Sequence, residues 1–140
     1  MITVWTNGCF DILHPGHMEL FKIAKSLGDR LIVGIDEDEK VFVDKGNNRP
    51  INPLSFRQTM LESNKYIDLV IPFGSRQQLE QTIELYYPDI LLVGGDWRGG
   101  DVVGREYAKE VRFLNRVGGY STTKIIDNIT NKYNNAGRYL

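Results

Sequence analysis

The feature that most constrains this fold is an alternation of short apolar, β-prone runs with segments whose apolar residues recur at helical spacing. Residues 2–6, 31–35, 69–71, 90–93 and 111–114 read as strands. After the first of these, Leu20, Phe21, Ala24 and Leu27 mark a helix over residues 16–27 that Gly28-Asp29 ends. Pro53 opens a second helix reaching residue 64, and a third covers residues 78–86 before Pro88 stops it. A short helix at residues 105–108 and a final one at residues 121–131 complete the order. Strands and helices that alternate through short links imply right-handed crossovers. The expectation is an α/β chain, a Rossmann-like doubly wound parallel sheet of about five strands in a single domain. Residues 36–52 are polar and rich in charge, Gly and Asn, and read as a mobile loop with one helical turn near residues 39–43. Residues 131–140 form a polar, Asn-rich tail without an apolar period, frayed or packed in a way the pattern does not disclose.

Composition removes several functional classes. With 17 Lys and Arg against 18 Asp and Glu, the formal net charge is -1, which gives no polyanion-binding surface and no basic membrane patch. Nucleic acid and membrane partners are therefore not expected. Cys9 is the only cysteine, so neither a disulfide framework nor a multi-cysteine zinc site is available. No apolar run approaches the roughly 20 residues that span a bilayer, and the amino terminus runs straight into a strand. The expected location is cytoplasmic.

The chemistry concentrates in Asn7-Gly8-Cys9-Phe10-Asp11-Ile12-Leu13-His14-Pro15-Gly16-His17, which joins the first strand to the first helix. In an open parallel sheet, ligands bind at the carboxyl ends of strands, where helix N-termini favour anions. His14 and His17 sit three positions apart at such a helix start, and Gly16 leaves room for phosphate near the backbone. Imidazoles there can donate to the charge that builds on a phosphate during in-line displacement. Alone, the pair reads more readily as an ordinary turn with one core and one surface histidine. A zinc site is weaker still, because a third histidine is lacking. The later segment Arg116-Val117-Gly118-Gly119-Tyr120-Ser121-Thr122-Thr123-Lys124 repeats the idea: glycines precede hydroxyls that open a helix. Ser121 or Thr122 caps that helix and can also hold phosphate, and Arg116 offers a forked donor pair.

Together these segments resemble the nucleotidyltransferase superfamily of cytidylyltransferases and their relatives, marked by H-x-G-H at the first helix and an S-T-T-K-like element near the carboxyl end. The resemblance covers nearly the whole chain and includes Gly8-Cys9-Phe10-Asp11, Asp96-Trp97 and Ser121-Thr122-Thr123-Lys124-Ile125-Ile126 in family order. It implies a nucleotidyltransferase domain over residues 1–130, followed by the tail at 131–140. His14 and His17 then contact the triphosphate and act at the α-phosphorus. Cys9 and Phe10 match a turn whose backbone binds nucleotide, with Cys9 a small side chain rather than a nucleophile. Asp11 matches an acidic position near the reacting groups, or holds the turn. Lys45 or Arg49 supplies a basic group to phosphates. Arg57 matches an acceptor-side position, although a helix-surface arginine reads equally well. Asp96 and Trp97 match a loop around ribose, base or acceptor, with a buried aromatic as the plainer alternative. Arg116, Ser121 and Thr122 match the phosphate-holding element.

Two subfamilies compete within that resemblance. Glycerol-3-phosphate cytidylyltransferases, which use CTP, share Asp96-Trp97 and the Ser-Thr-Thr-Lys-Ile element. The adenylyltransferase module of ADP-heptose synthases is similar over Asn7-Gly8-Cys9-Phe10-Asp11, Arg49-Pro50-Ile51-Asn52-Pro53-Leu54, Val93-Gly94-Gly95-Asp96 and Val102-Val103-Gly104-Arg105-Glu106. The second set is longer, so ATP and a sugar phosphate, heptose 1-phosphate, are the expected substrates. The chain departs from that set at Val93-Gly94, where a lysine is expected. The implied reaction joins NTP to a sugar or polyol phosphate and releases pyrophosphate, with magnesium bridging the nucleotide phosphates and no metal site made by the protein itself. A non-enzymatic nucleotide-binding regulatory module is the alternative from another class. The resemblance also implies homodimerisation, with no interface legible.

Overall fold

A computed structural model describes residues 1–95, 99–115 and 118–136. Five strands form one parallel sheet: β1 (Thr3–Gly8), β2 (Arg30–Asp36), β3 (Leu69–Phe73), β4 (Ile90–Gly94) and β5 (Glu110–Leu114), in the order β3-β2-β1-β4-β5. Successive residues of the central strands point to opposite faces, and both faces are covered. Val4, Leu31, Val33, Ile35 and Leu92 pack with Phe21 and Ala24 of α1 (Pro15–Ser26). Leu61 of the later helix Leu54–Glu62 joins the same layer. On the other face, Trp5, Ile32 and Leu91 pack with Leu79 and Ile83 of helix Arg76–Tyr86. Pro72 lies in β3, an edge strand, where a missing N–H costs least. The expected doubly wound α/β sheet is the observed one.

Four elements differ from the sequence expectation. β1 continues past residue 6, because Asn7 and Gly8 still pair with Gly34 and Ile35 of β2. Residues 36–52 contain a full helix, α2 (Asp38–Lys45), rather than a loop with a single turn. It buries only Val41. Its support is electrostatic: Lys40 reaches Asp36 at 3.2 Å and Asp44 at 2.7 Å, acidic residues occupy the first turn and Lys45 the last. The helices Leu54–Glu62 and Arg76–Tyr86 are therefore α3 and α4. The last helix, α5 (Thr122–Ala136), runs through residue 131 and makes the first part of the tail helical. The short helix near residue 105 is a 3₁₀ turn, Arg105–Tyr107. Among the described residues, no helix is long and apolar enough to cross a membrane.

The site follows from one detail of strand pairing. β1 follows β2 in register as far as Gly8, but it meets β4 only at Val4↔Ile90 and Trp5↔Leu91. Beyond those pairs β1 and β4 part. This is where the strand order reverses, the switch point at which open α/β sheets bind ligands.

Candidate active site

Two clefts open at the carboxyl end of β1. One, of about 530 Å³, is lined by His14, Gly16 and His17 on one side and by Tyr120, Ser121, Thr122 and Thr123 on the other. The second, about 870 Å³, lies between the ends of β2, β3 and β4, with Asp36, Lys40, Asp44 and Arg76 among its polar walls and Leu79 and Val102 among its apolar ones. Asn7, Gly8, Cys9, Lys45 and Gly94 line both. The two clefts therefore meet over the turn after β1.

The histidines are fixed by the helix they begin. His14 is the N-cap of α1, and its Nδ1 accepts the Gly16 N–H at 3.1 Å, while His17 Nδ1 accepts the His14 N–H at 3.2 Å. This reciprocal cap satisfies two N–H groups that a helix start leaves unmet. It also sets the tautomer: with Nδ1 accepting, each neutral ring carries its proton on Nε2. The rings stack with centroids 3.7 Å apart and planes at 28°. Phe10 supports them edge-on from below, 5.5 Å from the His17 ring, and is itself buried against Phe21. Its φ of +50° is uncommon for a bulky side chain, and the packing of its ring over Gly8 holds it there. Phe10 thus contributes its backbone to the turn and its ring to the core.

Across the first cleft, Ser121 caps α5 by accepting the Lys124 N–H at 3.0 Å, and the Thr122 hydroxyl donates to the Ile12 carbonyl at 3.1 Å. That second bond ties the two helix starts together across the chain. Gly118 and Gly119, with φ of +73° and +66°, make the turn that delivers α5. Asp96, Trp97 and Arg116 lie outside the described residues.

Asp11 and Arg57, expected on the acceptor side, are both held in a bracing network, and Asp11 also lines the histidine cleft. Asp11 has no exposed side-chain surface, and its carboxylate accepts the N–H groups of Ile51 (2.7 Å) and Asn52 (2.8 Å) and the Arg49 Nε–H (2.8 Å). Burial would raise its pKa, but these donors outweigh it and hold the carboxyl below its ordinary value. Arg57 is buried to 1% exposure, and its guanidinium donates on every side. Nε bonds the Asn52 carbonyl, one Nη both the Cys9 and Asp36 carbonyls, and the other Nη the Asp38 carboxylate. Both groups brace the turn, the end of β2, α2 and the 49–53 segment against one another.

Of the two candidate bases, Arg49 donates its Nε–H to Asp11 and lines the histidine cleft, whereas Lys45 is exposed at the end of α2 and lines both clefts. At the end of β4, where a lysine was expected, Val93 and Gly94 line the clefts instead. Burial pushes the Cys9 thiol above its ordinary pKa despite the nearby Arg57 charge, so it is a poor nucleophile. Burial also raises the Asp36 carboxyl, against the pull of Lys40. Sequence reading missed Asp36, Lys40 and Asp44, although their i,i+4 alternation of charge was visible, and it gave Tyr120 no role of its own. Among the described residues, no group of three His, Cys, Asp or Glu side chains is placed to hold a metal.

Residues 5–128 match the Cytidylyltransferase-like family. The chain belongs to that family. Two relatives of this cytidylyltransferase-like chain are bifunctional proteins HldE, from Helicobacter hepaticus (46% identical over 126 residues) and Nitratiruptor sp. (48% over 124). The matches cover 90% and 89% of this chain but 26% and 27% of those proteins, so the chain spans about a quarter of their length. Among solved structures, the lipopolysaccharide core biosynthesis protein from Thermoplasma volcanium superposes with a TM-score of 0.67 at 27% identity, over 86% of this chain and 99% of that one. Pantothenate synthetase from Thermus thermophilus shares the fold alone, with a TM-score of 0.59 at 13% identity over 89% of this chain and 61% of that one.

Proposed function

We propose that this cytidylyltransferase-like chain transfers the adenylyl group of ATP to a sugar phosphate, heptose 1-phosphate, and releases pyrophosphate. The observation that carries this reading is the convergence of two helix starts, His14/His17 and Ser121/Thr122, on one cleft that opens into a second. The triphosphate occupies the smaller cleft, where helix N-termini favour anions. Nε2–H of His14 and His17 donates to oxygens of the α-phosphate as charge builds there. The acceptor occupies the larger cleft, its phosphate beside Lys45 and its hydroxyls toward Asp36 and Asp44. An acceptor phosphate oxygen attacks the α-phosphorus, the new P–O bond forms as the bond to the β-phosphate oxygen breaks, and pyrophosphate leaves with that electron pair. An ionised phosphate needs no protein base, so the chain supplies alignment and charge stabilisation. A divalent ion, magnesium, fits here as one carried in by phosphate oxygens, since the described side chains offer no cage; it would neutralise triphosphate charge.

The choice of ATP and heptose 1-phosphate rests on the similarity to the HldE proteins and on the segments, Arg49 to Leu54 and Val102 to Glu106 among them, that resemble the adenylyltransferase module of ADP-heptose synthases. Pyrophosphate release from the purified chain, measured over ATP and CTP with heptose 1-phosphate and glycerol 3-phosphate, tests it. Release with ATP and heptose 1-phosphate is expected. Release only with CTP and glycerol 3-phosphate would transfer the chain to the other substrate pair, and none with any pair would leave a nucleotide-binding module.

A further inference from the structure

The histidine stack has a third ring. Tyr120 lies against His14 with centroids 6.1 Å apart and planes at 21°, on top of the 3.7 Å, 28° stack of His14 on His17. The 6.1 Å separation falls within the range of offset-stacked aromatic pairs. The tyrosine is placed from two directions. A Cβ on Gly118 would lie 2.6 Å from Tyr120 Cε2, so the ring is folded back over the bare Gly118 backbone. A Cβ on Gly16 would lie 2.9 Å from His14 Cε1 and 3.5 Å from Tyr120 Cβ, so the base of Tyr120 and the His14 ring both rest on Gly16. Tyr120 also lines the histidine cleft and is 45% exposed, consistent with a lid on the stack rather than part of the core.

We infer that Tyr120 is a positioning residue for His14: it closes the outer end of the ring stack and holds the imidazole in the orientation in which Nδ1 accepts the Gly16 N–H and Nε2 faces the cleft. This rests on the nucleotidyl-transfer reading above. A capped imidazole still turns about its ring bond unless its face is covered, and a donor must sit where charge develops to act on it. The working part of Tyr120 is its ring, so the hydroxyl is dispensable.

Tyr120→Ala is expected to lower kcat by about 3- to 10-fold, the scale of one aromatic pair, while KM for ATP changes less than about twofold. Tyr120→Phe restores the rate. In a double-mutant cycle, Tyr120→Ala adds no further loss to a His14→Ala chain, because it acts through that ring. A second readout needs no turnover: the chain has two histidines, so their ring proton resonances are simply assigned. The His14 resonance moves in Tyr120→Ala and returns in Tyr120→Phe. A rise in KM for ATP with unchanged kcat, failure of phenylalanine to rescue, fully additive losses or an unmoved His14 resonance would each overturn the inference. A wild-type chain that releases no pyrophosphate overturns the functional reading itself, whereas a working wild type matched by Tyr120→Ala overturns only the role given to Tyr120.

Discussion

The turn after β1 feeds two polar clusters that are finished in opposite ways. In the cluster of Asp11, Arg49, Asn52 and Arg57, carboxylate, guanidinium and carbonyl groups bond one another around the buried Asp11 and Arg57 side chains. In the cluster of His14, His17, Tyr120 and Ser121, one nitrogen of each imidazole is used by the backbone and the rings border a cleft. Burial with full hydrogen bonding makes a brace, and the same kind of polar groups set along a cavity makes a site. Substitutions in the first cluster should therefore act on stability, and those in the second on turnover.

The largest effect is expected from Arg57→Ala, which strands the carbonyls of Cys9, Asp36 and Asn52 and empties a buried volume. Losses at such sites run to about 3–5 kcal/mol, or a thermal midpoint lower by about 10 °C. A midpoint unchanged in calorimetry would contradict the bracing role and reopen contact with acceptor. His17→Ala should do the reverse. Turnover falls by roughly 10²–10³, as for loss of one charge-stabilising donor, and the thermal midpoint drops only by the few degrees that a lost helix cap costs, about 1 kcal/mol. Near-normal pyrophosphate release from that variant would reject the role assigned to the pair.

This contrast explains how much could be read in advance. The alternation of strands and helices was legible because buried apolar periodicity writes itself into the sequence, as at Leu31, Ile32 and Val33. The two helix starts that border the candidate cleft were legible because each carried phosphate-type residues, His14 and Ser121. The fate of Asp11 and Arg57 was not, since a charged residue gives the same letter whether it faces substrate or 1% exposure. Only the partners distinguish them, and those of Asp11 lie far along the chain at Ile51 and Asn52. α2 escaped because it buries Val41 alone and leans on ion pairs, a weak pattern beside an apolar stripe. The run of α5 to Ala136 escaped for a related reason: Asn dominates there, while Ile129 and Tyr133 keep a helical spacing on an exposed surface.

A smaller effect, at the brace, is its response to acid. The Asp11 carboxyl is held below its ordinary value in the folded chain. Its contribution is therefore complete above the ordinary carboxyl range, about pH 3.9, and is lost as pH falls through the lower, folded value. Asp11→Asn should cost about 2 kcal/mol at pH 7, the scale of hydrogen bonds to a charged group. The gap between variant and wild type should shrink as pH drops below about 4, in urea midpoints taken from neutral pH down to about 3. Parallel profiles would mean that Asp11 does not titrate through the brace.

The smallest effect falls on the residue that belongs to both sides of the comparison. Ser121 caps α5 through the Lys124 N–H, a structural task, and also lines the histidine cleft. Ser121→Ala removes both roles together, for about 1 kcal/mol of helix stability, and so cannot separate them. Ser121→Asp can, because aspartate is as good an N-cap as serine and its charge suits a helix start. If capping were the whole task, that variant should match the wild type in thermal midpoint and in KM for ATP. If the α5 start faces the triphosphate, the midpoint holds while KM for ATP rises by about tenfold, since a carboxylate then stands where an anion must bind. The second outcome is expected. It would show one helix N-terminus satisfied in the free chain by its own side chain yet still reserved, in charge, for a ligand.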